Sequence, residues 1–215
     1  MWRATITNVF SVTKALTALC ALILAGQGEL DPAAPVIRYW TVFAAPGKEK
    51  MLVRHLFSHT AGLPTGTGRS TISTTGRRRR HGWLRIPLRG SRGTVAGYRS
   101  LTQTFLVGEV VRRITGRSLG EFFAEEVAEP LGADFHVGLT AEHDSRGGAG
   151  AVPPPFRDED YVARAAGDSA LSTAGTPVRV RDGNTIARRR AQILRRAASA
   201  TPGRWPLVQS VMARG

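Results

Sequence analysis

The stretch ITNVFSVTKALTALCALILAG, residues 6–26, does most to constrain what this chain can fold into. Val9, Phe10, Leu16, Leu19, Cys20, Leu22 and Ile23 recur at helical spacing, and Gly26 and Gly28 follow as stop signals. A run this apolar predicts a buried helix. Its polar break lies at the start, where Ser11 precedes Lys14 by three residues.

A secretory leader would also combine a charged start, an apolar middle and small residues after it. Here the charged start would be 14 residues long with only Arg3 and Lys14 as charges, and it would contain Val9 and Phe10. A buried helix accounts for the same residues at least as well. With a single cysteine, Cys20, there is no internal disulfide, so a cytoplasmic location is favoured. No run approaches the roughly 20 apolar residues that span a bilayer.

The 215 residues suffice for one sizeable domain, and the formal charge of +14 at first suggests nucleic-acid binding. The distribution of that charge argues otherwise. Residues 69–99 hold nine arginines and no acid, and residues 177–215 hold nine arginines and one acid, Asp182. The rest of the chain is slightly acidic. The basicity belongs to two patches without aromatic interleaving or zinc spacing, which excludes specific nucleic-acid recognition and leaves non-specific, salt-dependent binding.

Outside those patches the pattern is orderly. GELDPAAPV is a turn-rich exit from the first helix, and KEKMLVRHLFSHTAGLP reads as a short helix falling into a Gly-Pro loop. Residues 65–97 show neither helical nor strand period. Order returns at Tyr98: Phe105, Leu106, Val110, Val111 and Ile114 lie mostly along one face of a helix that Gly116 stops. SLGEFFAEEVAEPLG adds a capping box, Ser118 with Glu121, and Pro130 ends that helix. From Glu142 the chain reads as loop. Residues 177–215 read as a poorly ordered tail, and brief trypsin treatment is expected to cut first at Arg77–Arg80 and around Arg188–Arg190.

Three sites carry candidate chemistry. At i, i+3, Ser11 and Lys14 share a helix face, and a desolvated lysine loses its proton more easily and can help activate the serine. A serine at a helix N-terminus also gains from backbone amides that favour developing negative charge. The spacing alone is cheap, and a buried helix explains it without chemistry. His55 and His59 lie four apart, yet no third ligand accompanies them, so a helix end entering a turn is the better reading and no metal site is expected. Tyr98, ahead of its amphipathic helix, is ordinary packing unless an electropositive neighbour such as Lys14 lowers its pKa.

Taken in order, three phrases resemble the serine hydrolases of the penicillin-binding-protein/class C β-lactamase superfamily, and most of all its esterase-like branch. They are NVFSVTKALTALCALILAGQGELDPAAPV, LVRHLFSHTAGLP and YRSLTQTFLVGEVVRRITGRSLGEFFAEEVAEPLGADFHVGL, about half of the chain. The resemblance implies an α+β fold, an α/β sandwich of the β-lactamase/transpeptidase type. It further implies Ser11 as acyl-accepting nucleophile, Lys14 as its partner and Tyr98 as general base. Ser100 stands at the third position of the tyrosine motif, in the substrate site. No cofactor or metal is implied, and the partner is a small-molecule ester or β-lactam-like amide.

The chain also departs from that pattern. Only ten residues precede Ser11, where the family places strands, and no His- or Lys-x-Gly strand motif follows Tyr98. The expected fold is therefore incomplete, with the helical part retained and much of the antiparallel sheet missing. Residues 1–176 form a partial domain in which 65–97 is a divergent arginine-rich insert, and 177–215 form the tail. Both windows read as stretches of a high-GC gene translated in a shifted frame, which makes the chain a truncated and partly divergent member of the family. A catalytically dead remnant or interaction fragment is the competing reading. The sequence does not specify the oligomeric state.

Overall fold

The structure, a computed structural model, describes residues 6–9, 11–43, 47–63, 93, 103–146 and 198–200. Strand β1 (Thr7–Asn8) leads into helix α1 (Val12–Gly26). Two short 3-10 turns, Val36–Arg38 and Thr41–Phe43, carry the chain to α2 (Val53–Phe57). Helix α3 (Gln103–Thr115) and helix α4 (Leu119–Phe123) follow, and α4 continues into a π-helical turn, Ala124–Ala128. Strand β2 (Phe135–Val137), a 3-10 helix (Ala141–Arg146) and β3 (Ala198–Ala200) complete the order.

The apolar stretch is the core helix it promises to be. Leu16, Cys20, Ala21 and Leu24 are buried, and α1 packs on both α3 and α4. The threonine in its middle is satisfied locally, because the Thr17 hydroxyl donates to the Thr13 carbonyl at 2.8 Å. Past Gly26 the chain turns at Gly28, whose φ of 77° needs a residue without a Cβ, and the amides of Glu29 and Leu30 close back on the Leu24 carbonyl. Trp40 and Phe43, with ring centroids 5.0 Å apart, fill the floor beside Met51 and Leu56.

Helices α3 and α4 follow their local signals. Leu106, Val107, Val110 and Val111 are buried, with Phe105 and Ile114 half-buried against the same core. Gly116, at φ 76°, ends α3 as its C′ residue. The capping box forms as expected: the Glu121 amide donates to Ser118 Oγ at 3.3 Å, and the Ser118 amide donates to the Glu121 carboxylate at 2.7 Å. Pro130 and Gly132 then turn the chain toward β2.

The sheet is small and its order is β1-β3-β2, antiparallel throughout, with Ala200 opposite both Thr7 and Phe135. Its middle strand therefore comes from inside the arginine-rich window 177–215. Residues 141–146, which read as the beginning of a loop, instead wind into a 3-10 helix. The remainder of both arginine windows lies outside the described residues, Gly93 excepted. Most of the described mass is helical, and the sheet among the described residues has three short strands.

Candidate active site

Ser11 occupies the N-cap position of α1, with φ −67° and ψ −13°. Its backbone is already helical and its hydroxyl does not cap the helix amides. Ser11 is half-buried, and its carbonyl accepts from the Lys14 amide at 3.0 Å, closing the first turn. Lys14 is one of the few charged side chains in the interior, only 9% exposed. The first turn of α1 therefore brings a serine and an interior lysine onto one side of a core helix, at the end where the backbone amides point outward.

Cys20, two turns further along α1, is no competing nucleophile. Burial pushes its thiol up to about 12, so it stays protonated and serves as a small core residue.

Tyr98 and Ser100 lie outside the described residues. What the structure fixes is the chain on either side of them. The Gly93 amide donates to the Thr60 carbonyl at 3.0 Å, and the Gln103 side-chain amide donates to the Phe57 carbonyl at 3.1 Å. Residue 103 is thus tied to the last residue of α2 and residue 93 to the loop that leaves it. Gly93 cannot readily be replaced, since its φ is +79° and a Cβ would stand 3.4 Å from His55 Nε2. The loop itself is tightly organised: Ser58 and Thr60 hydroxyls are 2.7 Å apart, and His59 adopts a positive φ of 62°.

His55 lies within α2 and His59 in the loop that follows it. His55 Nδ1 accepts the Leu52 amide at 3.3 Å, which commits that nitrogen to closing α2. Among the described residues no group of three or more His, Cys, Asp or Glu is placed to hold a metal ion, and no helix is long and apolar enough to cross a membrane.

Sequence reasoning passed over Gln103. It is 5% exposed, and its Oε1 has no hydrogen-bond partner. A glutamine at the start of an amphipathic helix looks like a surface residue, and only the docking of α3 against the α2 loop buries it.

The whole chain carries a family signature that its first turn alone does not. Residues 2–213 match the Beta-lactamase family model. The chain belongs to the Beta-lactamase family. The esterase/β-lactamase LipL of Mycobacterium tuberculosis (strain ATCC 25618 / H37Rv) is 35% identical over 131 residues, which are 60% of this chain and 30% of LipL. A family VIII carboxylesterase of known structure superposes with a TM-score of 0.80 at 32% identity, over 100% of this chain and 57% of that one. EstA from Arthrobacter nitroguajacolicus Rue61a superposes with a TM-score of 0.74 at 28% identity, over 95% of this chain and 55% of EstA. This member of the Beta-lactamase family thus has the β-lactamase/transpeptidase-like fold, and it spans little more than half of the solved relatives and under a third of LipL.

Proposed function

We propose that this chain is a serine hydrolase of carboxylic esters, or of β-lactam-like amides, working through an acyl-enzyme on Ser11. The observation that carries the reading is the first turn of α1, where Ser11 holds the N-cap position and Lys14 lies buried one turn on. Membership of the Beta-lactamase family and the likeness to a family VIII carboxylesterase support it.

In this mechanism Ser11 Oγ attacks the substrate carbonyl carbon and gives up its proton to the base. Tyr98 takes that proton, with the Lys14 ammonium favouring the ionised phenol. The carbonyl oxygen becomes an oxyanion, and the Ser11 amide at the start of α1 is one donor to it. Collapse expels the alcohol, which leaves with the proton returned by the base. Water activated by the same base then releases the acid and restores Ser11. Ser100 contributes a hydroxyl to substrate binding.

The sequence offers no counterpart of the family's third motif, which would supply a second oxyanion donor. Such a donor is worth about 2.7–4 kcal/mol, on the order of a hundredfold or more in turnover. Acylation is therefore the more informative readout. A fluorophosphonate probe, followed by peptide mapping, is expected to label Ser11 ahead of every other serine, with no label at that position in Ser11→Ala. Label on Ser58 or Ser100 with Ser11 untouched removes the nucleophile assignment. Hydrolysis of a short-chain aryl ester by the chain alone is expected to exceed the Ser11→Ala background only slightly.

A further inference from the structure

Strands β1 and β2 each pair antiparallel with β3, so they run parallel to each other, about 10 Å apart with β3 between them. Thr7 and Phe135 both stand opposite Ala200, which puts the residues just before them, Ile6 and Asp134, at the same end of the sheet. Arg146, the last residue of the 3-10 helix, reaches both. Its guanidinium donates to the Asp134 carboxylate, and its carbonyl accepts the Ile6 amide at 2.9 Å. One residue thus clasps the two outer strands without using the middle one.

Both ends of the clasp are anchored. Ile6 is 2% exposed, so its amide is shielded from water and depends on the Arg146 carbonyl. At the other end, burial pushes the Asp134 pKa up, but the hydrogen bonds from Arg146 and His136 outweigh it and hold the carboxyl below the usual aspartate range. The carboxylate stays charged. Its second oxygen is held by His136 Nε2 at 2.9 Å, which leaves the first to face the guanidinium.

The strand so held is the one that leads to Ser11. Val9 follows β1 directly, and its carbonyl accepts the Val12 amide at 3.2 Å, closing a four-residue turn that contains Ser11. One arm of that turn is the exit of β1, and the other is the first residue of α1. Burial of Leu16, Cys20 and Leu24 fixes the α1 arm. The β1 arm has only its pairing with β3 and the Arg146 carbonyl to fix it among the described backbone contacts. The Ser11 N–H belongs to the peptide group shared with residue 10, on the β1 side, so its direction follows that arm. We propose that Arg146 is a positioning residue for Ser11: by clasping Ile6 to Asp134 it sets the β1 arm of the turn, and with it the aim of the Ser11 hydroxyl and amide at a substrate carbonyl. The role rests on the hydrolase reading of Ser11. A misplacement of about 1 Å at the reacting atoms costs as much as about a hundredfold in rate.

Three variants of the full chain test it. Arg146→Met keeps the apolar stem and removes the guanidinium, Arg146→Lys keeps a cation on a stem of similar reach, and Asp134→Ala opens the clasp from its other end. Each is reacted with a fluorophosphonate, and peptide mapping of Ser11 gives the rate constant at saturating probe and the final fraction labelled. In Arg146→Met and in Asp134→Ala the rate constant is expected to fall about tenfold with the final fraction unchanged, and the double variant to be no slower than either. Arg146→Lys is expected to recover to within about threefold of the wild type. Exchange of the Ile6 amide is expected to rise about tenfold in Arg146→Met while the centre of α3 stays unchanged. A merely structural loss lowers the fraction labelled and leaves the rate constant of the remaining molecules at the wild-type value, and that result overturns the proposal. So does an unchanged rate constant in Asp134→Ala, or slowing that multiplies in the double variant. A wild-type chain that takes no label at Ser11 removes the hydrolase reading and the positioning role together, a failure visible before any variant is compared.

Discussion

Helix α1 and the α3–α4 pair supply about half of the described core, and they are held in different ways. Neither end of α1 carries a side-chain cap or a complementary charge, and the helix persists because Leu16, Cys20 and Leu24 have nowhere else to go. The α3–α4 pair adds electrostatics to its buried stripe. Glu109, itself buried, receives Arg112 and Arg113 at 2.9 and 3.0 Å, and the Arg113 guanidinium lies 5.2 Å from the Trp40 ring. Arg117 joins Glu125 and Glu126 while covering Phe122. The contrast suits the proposed chemistry. A helix that carries a nucleophile at its N-terminus keeps that end polar and open, so its stability must come from further along.

The largest effect should therefore come from the middle of α1. Leu16→Ala, at a fully buried position, is expected to cost about 2–5 kcal/mol in urea unfolding. A loss under about 1 kcal/mol would mean that α1 is not the core helix of the pair. Next is Glu109→Ala in α3, expected at about 1–2 kcal/mol. The penalty stays moderate because the arginines it leaves behind are partly exposed, 35% and 24% for Arg112 and Arg113, and can turn to water. A cost equal to that of Leu16→Ala would erase the distinction between the two regions.

The smallest effect is local. Ser118→Ala removes one half of the capping box and is expected to cost about 1 kcal/mol. The other half gives a pH signature. Hydrogen bonds from Ser118 hold the Glu121 carboxyl below the usual glutamate range. A group with a depressed folded pKa stabilises above its unfolded value and loses that contribution as pH falls through the folded one. Wild-type unfolding free energy should therefore decline more steeply below about pH 4.3 than that of Glu121→Gln. Parallel acid limbs would show that the box does not hold α4.

How far each feature could be read in advance depends on how local its cause is. Gly116 as a stop and Ser118 with Glu121 as a box are written within a few residues, and each forms as expected. The nucleophile candidate was legible for the same reason, since Ser11 and Lys14 share one turn. The burial of Gln103 and the ring contact of His136 with His143, centroids 4.1 Å apart, were not. Nothing in their neighbouring residues says that a glutamine will be buried or that two imidazoles seven positions apart will meet.

The sequence by itself determined the helices, their stops and caps, and a serine–lysine pair at the head of the most apolar one, because helical hydrogen bonds and side-chain neighbours lie within four residues. Only the tertiary structure decided the sheet. Ala198-Ser199-Ala200 has no periodicity and sits in an arginine-rich window, yet it is the strand that joins Thr7–Asn8 to Phe135–Val137. Strand pairing is set by partners more than sixty residues away, whose backbone groups need hydrogen bonds that no local side-chain pattern announces.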